Sequence, residues 1–250
     1  HAASPFITNS DALRPPAVDA IRLVDVASDF GVAVRRALPG VRGAELVDLK
    51  RRLAEALVNA GRPAEAAQAY LEVAELSSAR HSLEFKRRAA QQLLMGGHIN
   101  EGVELIRSVL AAVGLSYPAS PRSALLSLLL KRLQVRLRGL KFTERDEGQI
   151  PEFDLVRLDT CFAVAAGLGS VDLIRGADFQ SRHLLLALRA GEPFRVARAL
   201  AFEAAWTAAR GGVERSEQIA KQAEEMALKV GHPYAIALST WAKGVGAYLR

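Results

Sequence analysis

The chain has 250 residues, of which half are apolar and only 6% are aromatic, so alanine and leucine must supply most of its core. Helices use such residues well, whereas strands favour β-branched and aromatic types, and we therefore predict an all-α fold. No apolar run approaches the ~20 residues of a membrane-spanning helix. The single cysteine, Cys161, excludes an internal disulfide and favours a reducing, cytoplasmic location.

After a lead-in over residues 1–16, the first elements are short repeats. Three stretches place a small residue four positions after the start of a polar turn, namely at Ala33, Ala66 and Gly102. These positions are 33 and then 36 residues apart. Repeats at such spacing are typical of stacked helical hairpins, because no hairpin can bury its apolar side alone.

The second and third copies align without a gap. In each, a first helix ends at a glycine, Gly61 or Gly97, and the second helix is predicted over Ala64–Leu76 or Asn100–Val113. The small residues let two antiparallel helices approach closely. This pattern resembles the tetratricopeptide repeat over roughly residues 17 to 113, and we assign residues 17–117 to tetratricopeptide-like repeats within an α-solenoid of antiparallel hairpins.

Residues 118–151 are predicted to be a linker that contains a basic amphipathic helix. Residues 118–142 hold six basic side chains and no acidic one, so the net charge of +6 is confined to this segment. Five leucines form one helical stripe: Leu126, Leu129, Leu130, Leu133 and Leu137. We expect these leucines to be buried within the solenoid, with the basic residues facing solvent or the acidic run at 144–147.

Two alternatives for this helix stay open, because a basic amphipathic helix can also lie on an anionic membrane or dock on an acidic partner. A membrane contact is the less favoured of the two. The candidate contacts to an acidic surface are Lys131, Arg132, Arg136 and Arg138.

Residues 152–250 are predicted to continue the helical hairpins with a longer period. Gly191-Glu192-Pro193-Phe194 and Gly231-His232-Pro233-Tyr234 lie 40 residues apart. In both, glycine can end one helix, and proline can open the next in its first turn, where the missing N–H costs nothing. Because the last residues read as helix, we expect the chain to be a truncated segment of a longer protein.

Motifs that carry chemistry are missing from the sequence. There is no phosphate-binding loop, since the chain contains no Gly-Lys pair, and none of the five histidines has a second histidine or cysteine at a metal-ligand spacing. Cys161 lies in an alanine-rich stretch and is predicted to be a small buried residue. We therefore expect no catalytic residues, no cofactor and no metal, and we find no nucleic-acid-binding signature.

Two runs, Gly139–Pro151 and Asp172–Pro193, are similar to the helical region of large bacterial serine/threonine protein kinases that also carry an AAA-type ATPase module. This resemblance implies a signalling protein, in which the present segment is a regulatory or scaffold arm. The catalytic and nucleotide-binding motifs of that family do not occur in this chain. Similar arms follow ATPase modules in bacterial transcription regulators, so the attached effector stays open.

Two functions follow as hypotheses. In the first, the segment binds a protein or peptide partner, or other domains of its own polypeptide, through Lys50, Arg51, Arg87 and Arg88. In the second, it is a small-ligand sensor that holds an effector around residues 152–210.

Overall fold

The computed structural model describes Val32 and residues 42–169 and 171–249. Within this part of the chain it contains ten α-helices, one short 3₁₀ helix at Glu147–Gln149 and no β-strand. The predicted lead-in and, apart from Val32, the turn stretch 29–33 of the first repeat copy lie outside the described residues. The α-helices, numbered α1 to α10, are Ala44–Asn59, Pro63–Leu76, Ala79–Met95, Ile99–Ala112, Pro121–Arg138, Glu152–Leu168, Leu173–Ala190, Pro193–Ala208, Val213–Val230 and Pro233–Tyr248.

The predicted all-α fold class is confirmed. Consecutive helices pack as antiparallel hairpins, in the manner of an α-solenoid: α1 with α2, α6 with α7, and α8 with α9. Helix α8 also contacts α7 and α10, so that the hairpins of the second half pack against each other.

The chain divides into two compact units, and the division falls inside α3 between Phe85 and Lys86. The first unit contains the α1–α2 hairpin and the beginning of α3. There the ring of Tyr70 on α2 stacks on Phe85, with ring centroids 6.2 Å apart. The second unit contains the rest of α3 and helices α4 to α10.

The two aligned repeat copies have the same turn. Gly61 and Gly97 both take positive φ, and the next N–H in each case donates to a carbonyl five residues earlier, closing the preceding helix. The small residue of the later copy is needed for close packing, because a Cβ on Gly102 would lie 2.8 Å from the Leu94 side chain. The small position therefore sets the approach of α4 to α3, as the pattern predicts.

The longer-period turns also form as predicted. Gly191 and Gly231 end α7 and α9 in the left-handed conformation, and a proline opens the next helix in both places. Gly191 has a second role, since the amide of Arg145 donates to its carbonyl at 3.0 Å. The segment that follows α5 is thereby attached to the end of α7.

Candidate partner-binding surface

Helix α5 (Pro121–Arg138) has well-defined ends. The side chain of Ser120 accepts from the amide of Ser123 at 3.2 Å, and the amide of Ser120 donates to the side-chain oxygen of Ser123 at 3.1 Å. Gly139 ends the helix at φ 70°. The principal packing partner of α5 is α7, which lies well beyond it in the sequence.

The side of α5 that faces α7 and α8 is polar at its centre. The hydroxyl of Ser127 donates to Asp178 Oδ1 at 2.7 Å, and Asp178 is fully buried and also pairs with Arg182 at 2.8 Å. Arg132 Nη1 donates to both carboxylate oxygens of Glu203, at 2.6 and 2.8 Å. Glu203 is buried as well.

The remaining contacts on this side of α5 are made by small apolar side chains and by polar ones. Ala124 and Val135 are the buried apolar residues of α5. Near its end, Arg138 donates to the carbonyls of Leu188 and Lys141, both at 2.9 Å. Helix α5 is therefore fixed to the protein through hydrogen bonds and two small apolar side chains.

The expected burial of the leucine stripe is wrong. Leu133 is 51% exposed and Leu137 is 78% exposed, and the other members of the stripe lie between these values. Of the two surroundings predicted for the basic residues, solvent is found for Arg136, whereas Arg132 pairs with Glu203 and, in the run at 144–147, Glu144 pairs with Lys229. We call the exposed set the leucine face: Leu126, Leu129, Leu130, Leu133 and Leu137.

The outward orientation has a physical reason in the surface beneath α5. Glu203 is a buried carboxylate whose partner on α5 is Arg132, and leaving such a charge without its partner costs about 3–5 kcal/mol. Asp178 would keep Arg182 but lose its hydrogen bond from Ser127, which costs about 1–3 kcal/mol more. Leaving five leucines half exposed costs about 1 kcal/mol each, because full burial of a leucine side chain stabilises the fold by ~2 kcal/mol and half of this is lost. If the leucines faced inward, they would contact the buried carboxylates of Asp178 and Glu203. The polar side of α5 therefore faces α7 and α8.

A groove of about 630 Å³ runs beside the leucine face, between α5 and α7. Its apolar lining includes Leu126 and Leu130 from α5 and Leu185 and Leu186 from α7. None of the described residues that line it is acidic. Its charged lining is cationic and consists of Lys131, Arg157, Arg182 and Arg189.

A second, smaller depression of about 500 Å³ shares Arg189 with this groove. It is lined by three more cations, Arg138, Lys141 and Arg145. Arg145 is held in place by the carbonyls at the end of α7, with Nε 2.9 Å from the Ala190 oxygen. Arg157 and Arg182 are paired with Asp154 and Asp178, so the other cations around the apolar strip supply the positive potential that favours an acidic partner.

The basic residues predicted on α5 divide into two groups. Arg132 and Arg138 are used within the protein, as described above. Lys131 lines the groove beside Gln134, and Arg136 is exposed to solvent. Their contact with an acidic surface stays a prediction, and the geometry favours Lys131 and Arg136 for it.

The other predicted residues lie in separate units. Lys50 hydrogen-bonds a glutamate of α2, and Arg51 binds two carboxylates of its own helix at 2.6 and 2.8 Å. Arg87 is only 8% exposed and Arg88 is half-buried. The role of these four residues in partner binding stays a prediction.

A buried ionic cluster lies between α6 and α8, and sequence reasoning did not find it. Asp159 accepts from Arg195 at 3.0 Å and pairs with Arg198, whose guanidinium lies 4.0 Å from the ring centre of Phe162. Burial alone would raise the pKa of Asp159, but the charges of Arg198, Arg195 and Arg87 hold it below 3.8. No sequence signal indicates the cluster, because Asp159 lies 36 and 39 residues from its two arginines.

Two reactive residue types near this cluster are also buried. Burial lowers the pKa of His183 well below 6.5, so its ring is neutral at physiological pH. Burial raises the pKa of Cys161 to about 12. The prediction that Cys161 is a small buried residue is confirmed, and its thiol is inert at neutral pH.

The described residues form no cluster of side chains suited to hold a metal ion. Among them, no helix combines the length and the apolarity needed to cross a bilayer. No family model, curated protein or solved structure matches the chain.

Proposed function

We propose that this chain is a non-catalytic protein-interaction and regulatory scaffold segment of a larger bacterial signalling protein. The leucine face of α5 is the observation that supports this proposal most directly. Contiguous apolar surface is uncommon on soluble proteins and typically marks an interaction site. Here it lies on a helix whose opposite side is anchored by the Arg132–Glu203 ion pair and by the hydrogen bond from Ser127 to the buried Asp178.

The titratable groups with strongly shifted pKa values support a structural role. Asp159 is paired with two arginines, and Cys161 and His183 are fully buried. None of the three is among the residues that line the grooves described above. Their shifts are accounted for by burial and by fixed partners, which are features of a stable core.

The attachment to a serine/threonine kinase with an ATPase module rests on the resemblance of the runs Gly139–Pro151 and Asp172–Pro193. The sequence of the reading frame upstream of His1 tests it. A kinase domain followed by a phosphate-binding loop is the expected result. An upstream region with neither would contradict this part of the proposal.

The interaction function can be tested with a photo-crosslinking amino acid placed at Leu133 in the full-length protein. The matched control is Leu228 on α9, which is exposed to a similar degree, 61% against 51%. We expect a discrete crosslinked protein band from position 133 and none from position 228. Equal, diffuse crosslinking at both positions would contradict an interaction site on α5.

The small-ligand sensor is a second candidate, and the cationic lining of the α5–α7 groove favours it. About 630 Å³ is within the range of small-molecule sites. A thermal-shift screen of anionic metabolites tests this candidate. A rise in melting temperature that disappears in Arg189→Ala would support it, and the absence of any shift across the screen would remove it.

A further inference from the structure

We propose that the leucine face binds an acidic amphipathic α-helix supplied by a separate protein chain. This inference rests on the proposed interaction function and adds the chemistry of the partner. It depends on three features of the second unit: the spacing of the leucines, the shape of the groove beside them and the sign of the surrounding charge.

The spacing of the leucines suits a partner helix. Leu126, Leu130, Leu133 and Leu137 follow one another at intervals of four, three and four residues, which is the heptad seam of paired helices. Leu129 lies beside the seam and widens it. A second helix with the same intervals can insert its side chains between these leucines.

The shape of the surface favours a helix over a bilayer. Leu185 and Leu186 of α7 line the same groove as Leu126 and Leu130, so apolar side chains come from both of its walls. A helix, about 10 Å in diameter, presents a convex apolar side that can contact both walls. A membrane surface is flat on this scale and would meet the outermost leucines while leaving the groove walls uncovered.

The charge of the surface specifies an acidic partner. Arg122 and Arg136 are exposed at the two ends of the leucine face, and Lys131 and Arg189 lie along the groove. Helix α5 has no acidic residue of its own. Carboxylates that flank the apolar seam of the partner would therefore meet cations along its whole length.

A second copy of this chain fits the surface poorly. Two α5 helices packed against each other would bring cations against cations, which opposes association. Helix α9 carries four glutamates, but its apolar side is buried, through Ile219, Ala220, Ala223 and Ala227. Helix α2 carries three glutamates, and its apolar side is buried as well, through Tyr70 and Val73 among others. We therefore assign the acidic helix to another protein.

The polar anchors of α5 favour binding of this kind. Because Ser127 and Arg132 fix the helix to α7 and α8, the leucine face is already formed before a partner arrives. The backbone of α5 is therefore ordered before binding, which lowers the entropic cost of association.

A pair of designed peptides tests the inference. Each is a stapled three-heptad helix with leucines at the seam positions, and its flanking positions carry glutamate in one peptide and lysine in the other. Fluorescence anisotropy measures binding of each peptide to the 250-residue chain. We expect the glutamate peptide to bind with a dissociation constant below about 100 µM, and the lysine peptide to bind at least about tenfold more weakly at low salt.

The protein variants are Leu130→Ser/Leu133→Ser and the control Leu228→Ser, each checked by circular dichroism and thermal melting. The double variant is expected to lose binding of the glutamate peptide and the control to keep it. Equal binding of both peptides that depends on the leucines would overturn the acidic partner but leave an interaction surface on α5. No binding below about 100 µM by either peptide would overturn the helix partner itself.

Two further measurements test whether the leucine face instead binds a second copy of the chain or a membrane. Light scattering after size exclusion detects a dimer, and sedimentation with vesicles of three parts phosphatidylcholine to one part phosphatidylserine detects membrane binding. We expect a monomer that stays in the supernatant. A dimer, or vesicle binding, that disappears in the leucine double variant would overturn the inference.

Discussion

The α1–α2 hairpin and the α5–α7 pair are two helix contacts built in opposite ways. In the hairpin, the facing sides are apolar and tightly packed, with Ala54 and Leu57 on α1 and Ala66 on α2 almost fully buried. In the α5–α7 pair, the centre of the contact is the hydrogen bond from Ser127 to Asp178, and the leucines point away. An amphipathic pattern therefore locates the apolar side of a helix, while the neighbouring surface decides which side faces inward.

Among the substitutions that test this difference, Arg132→Met should have the largest effect on stability. The change leaves Glu203 buried, with Arg210 at 3.9 Å as its remaining charged neighbour. We expect the free energy of unfolding to fall by about 3 kcal/mol, because an uncompensated buried charge is costly. Denaturant unfolding followed by circular dichroism measures it.

The double variant Arg132→Met/Glu203→Leu is the matched control for this prediction. Replacing both charges by apolar side chains is expected to recover most of the lost stability. If Arg132→Met alone leaves stability unchanged, the polar pair does not hold α5 in its orientation.

Gly191→Ala should have the next largest effect, because it tests how the segment after α5 is attached to α7. An added Cβ would lie 2.0 Å from the Thr143 carbonyl oxygen, and the residue has φ +79°. We expect a loss of about 2–4 kcal/mol from the steric conflict and the left-handed backbone together.

Gly231→Ala is the control for the backbone contribution. Gly231 has a similar φ of +70°, but no atom lies within 4 Å of an added Cβ. It should cost about 1 kcal/mol. Equal losses for Gly191→Ala and Gly231→Ala would show that the Thr143 segment does not press on the end of α7.

A smaller effect on stability is expected when the pH is lowered. It tests the polar residues of α7 that are buried on its side away from α5. The pKa of His183 lies well below 6.5 in the folded chain, so the unfolded chain binds a proton that the folded chain does not. The contribution of His183 to the free energy of unfolding is fully present above pH 6.5. It is lost as the pH falls below 6.5, by at most about 1.4 kcal/mol per pH unit. Asp159, whose pKa is lowered from 3.8, adds a separate loss below about pH 4.

Unfolding measured at several values between pH 7 and 5 tests the histidine. In His183→Gln, stability should change less over this range than in the parent chain. An identical pH dependence in the two proteins would be evidence against a neutral, buried His183.

The smallest effect is expected on the leucine face itself. Leu133→Ser should lower the free energy of unfolding by no more than about 1 kcal/mol, because half of the side chain is already exposed. Val135→Ser, on the opposite side of the same helix, should cost about 2 kcal/mol because it is buried. The reverse ranking would contradict the assignment of the two sides.

Much of the fold could be predicted because its signals are local. Gly61 and Gly97 occupy equivalent turns, and the prolines after Gly191 and Gly231 open helices where expected. These residues act within one turn, so a pattern in the sequence is enough to indicate them.

The orientation of α5 could not be predicted, because it depends on residues far away in the chain. Ser127 and Asp178 are 51 positions apart, and Arg132 and Glu203 are 71 apart. Nothing near Asp178 or Glu203 in the sequence shows that these carboxylates are buried beneath α5. A rule that places leucines inward fails wherever the surface below already carries buried charge.

Thiol labelling of two cysteine variants tests the outward leucine face most directly. Leu133→Cys and Val135→Cys lie two residues apart on α5, and the native Cys161 gives a low background because it is fully buried. With a hydrophilic maleimide at neutral pH, position 133 should react at least about tenfold faster than position 135. Equal rates, or faster labelling at position 135, would contradict the orientation of the helix.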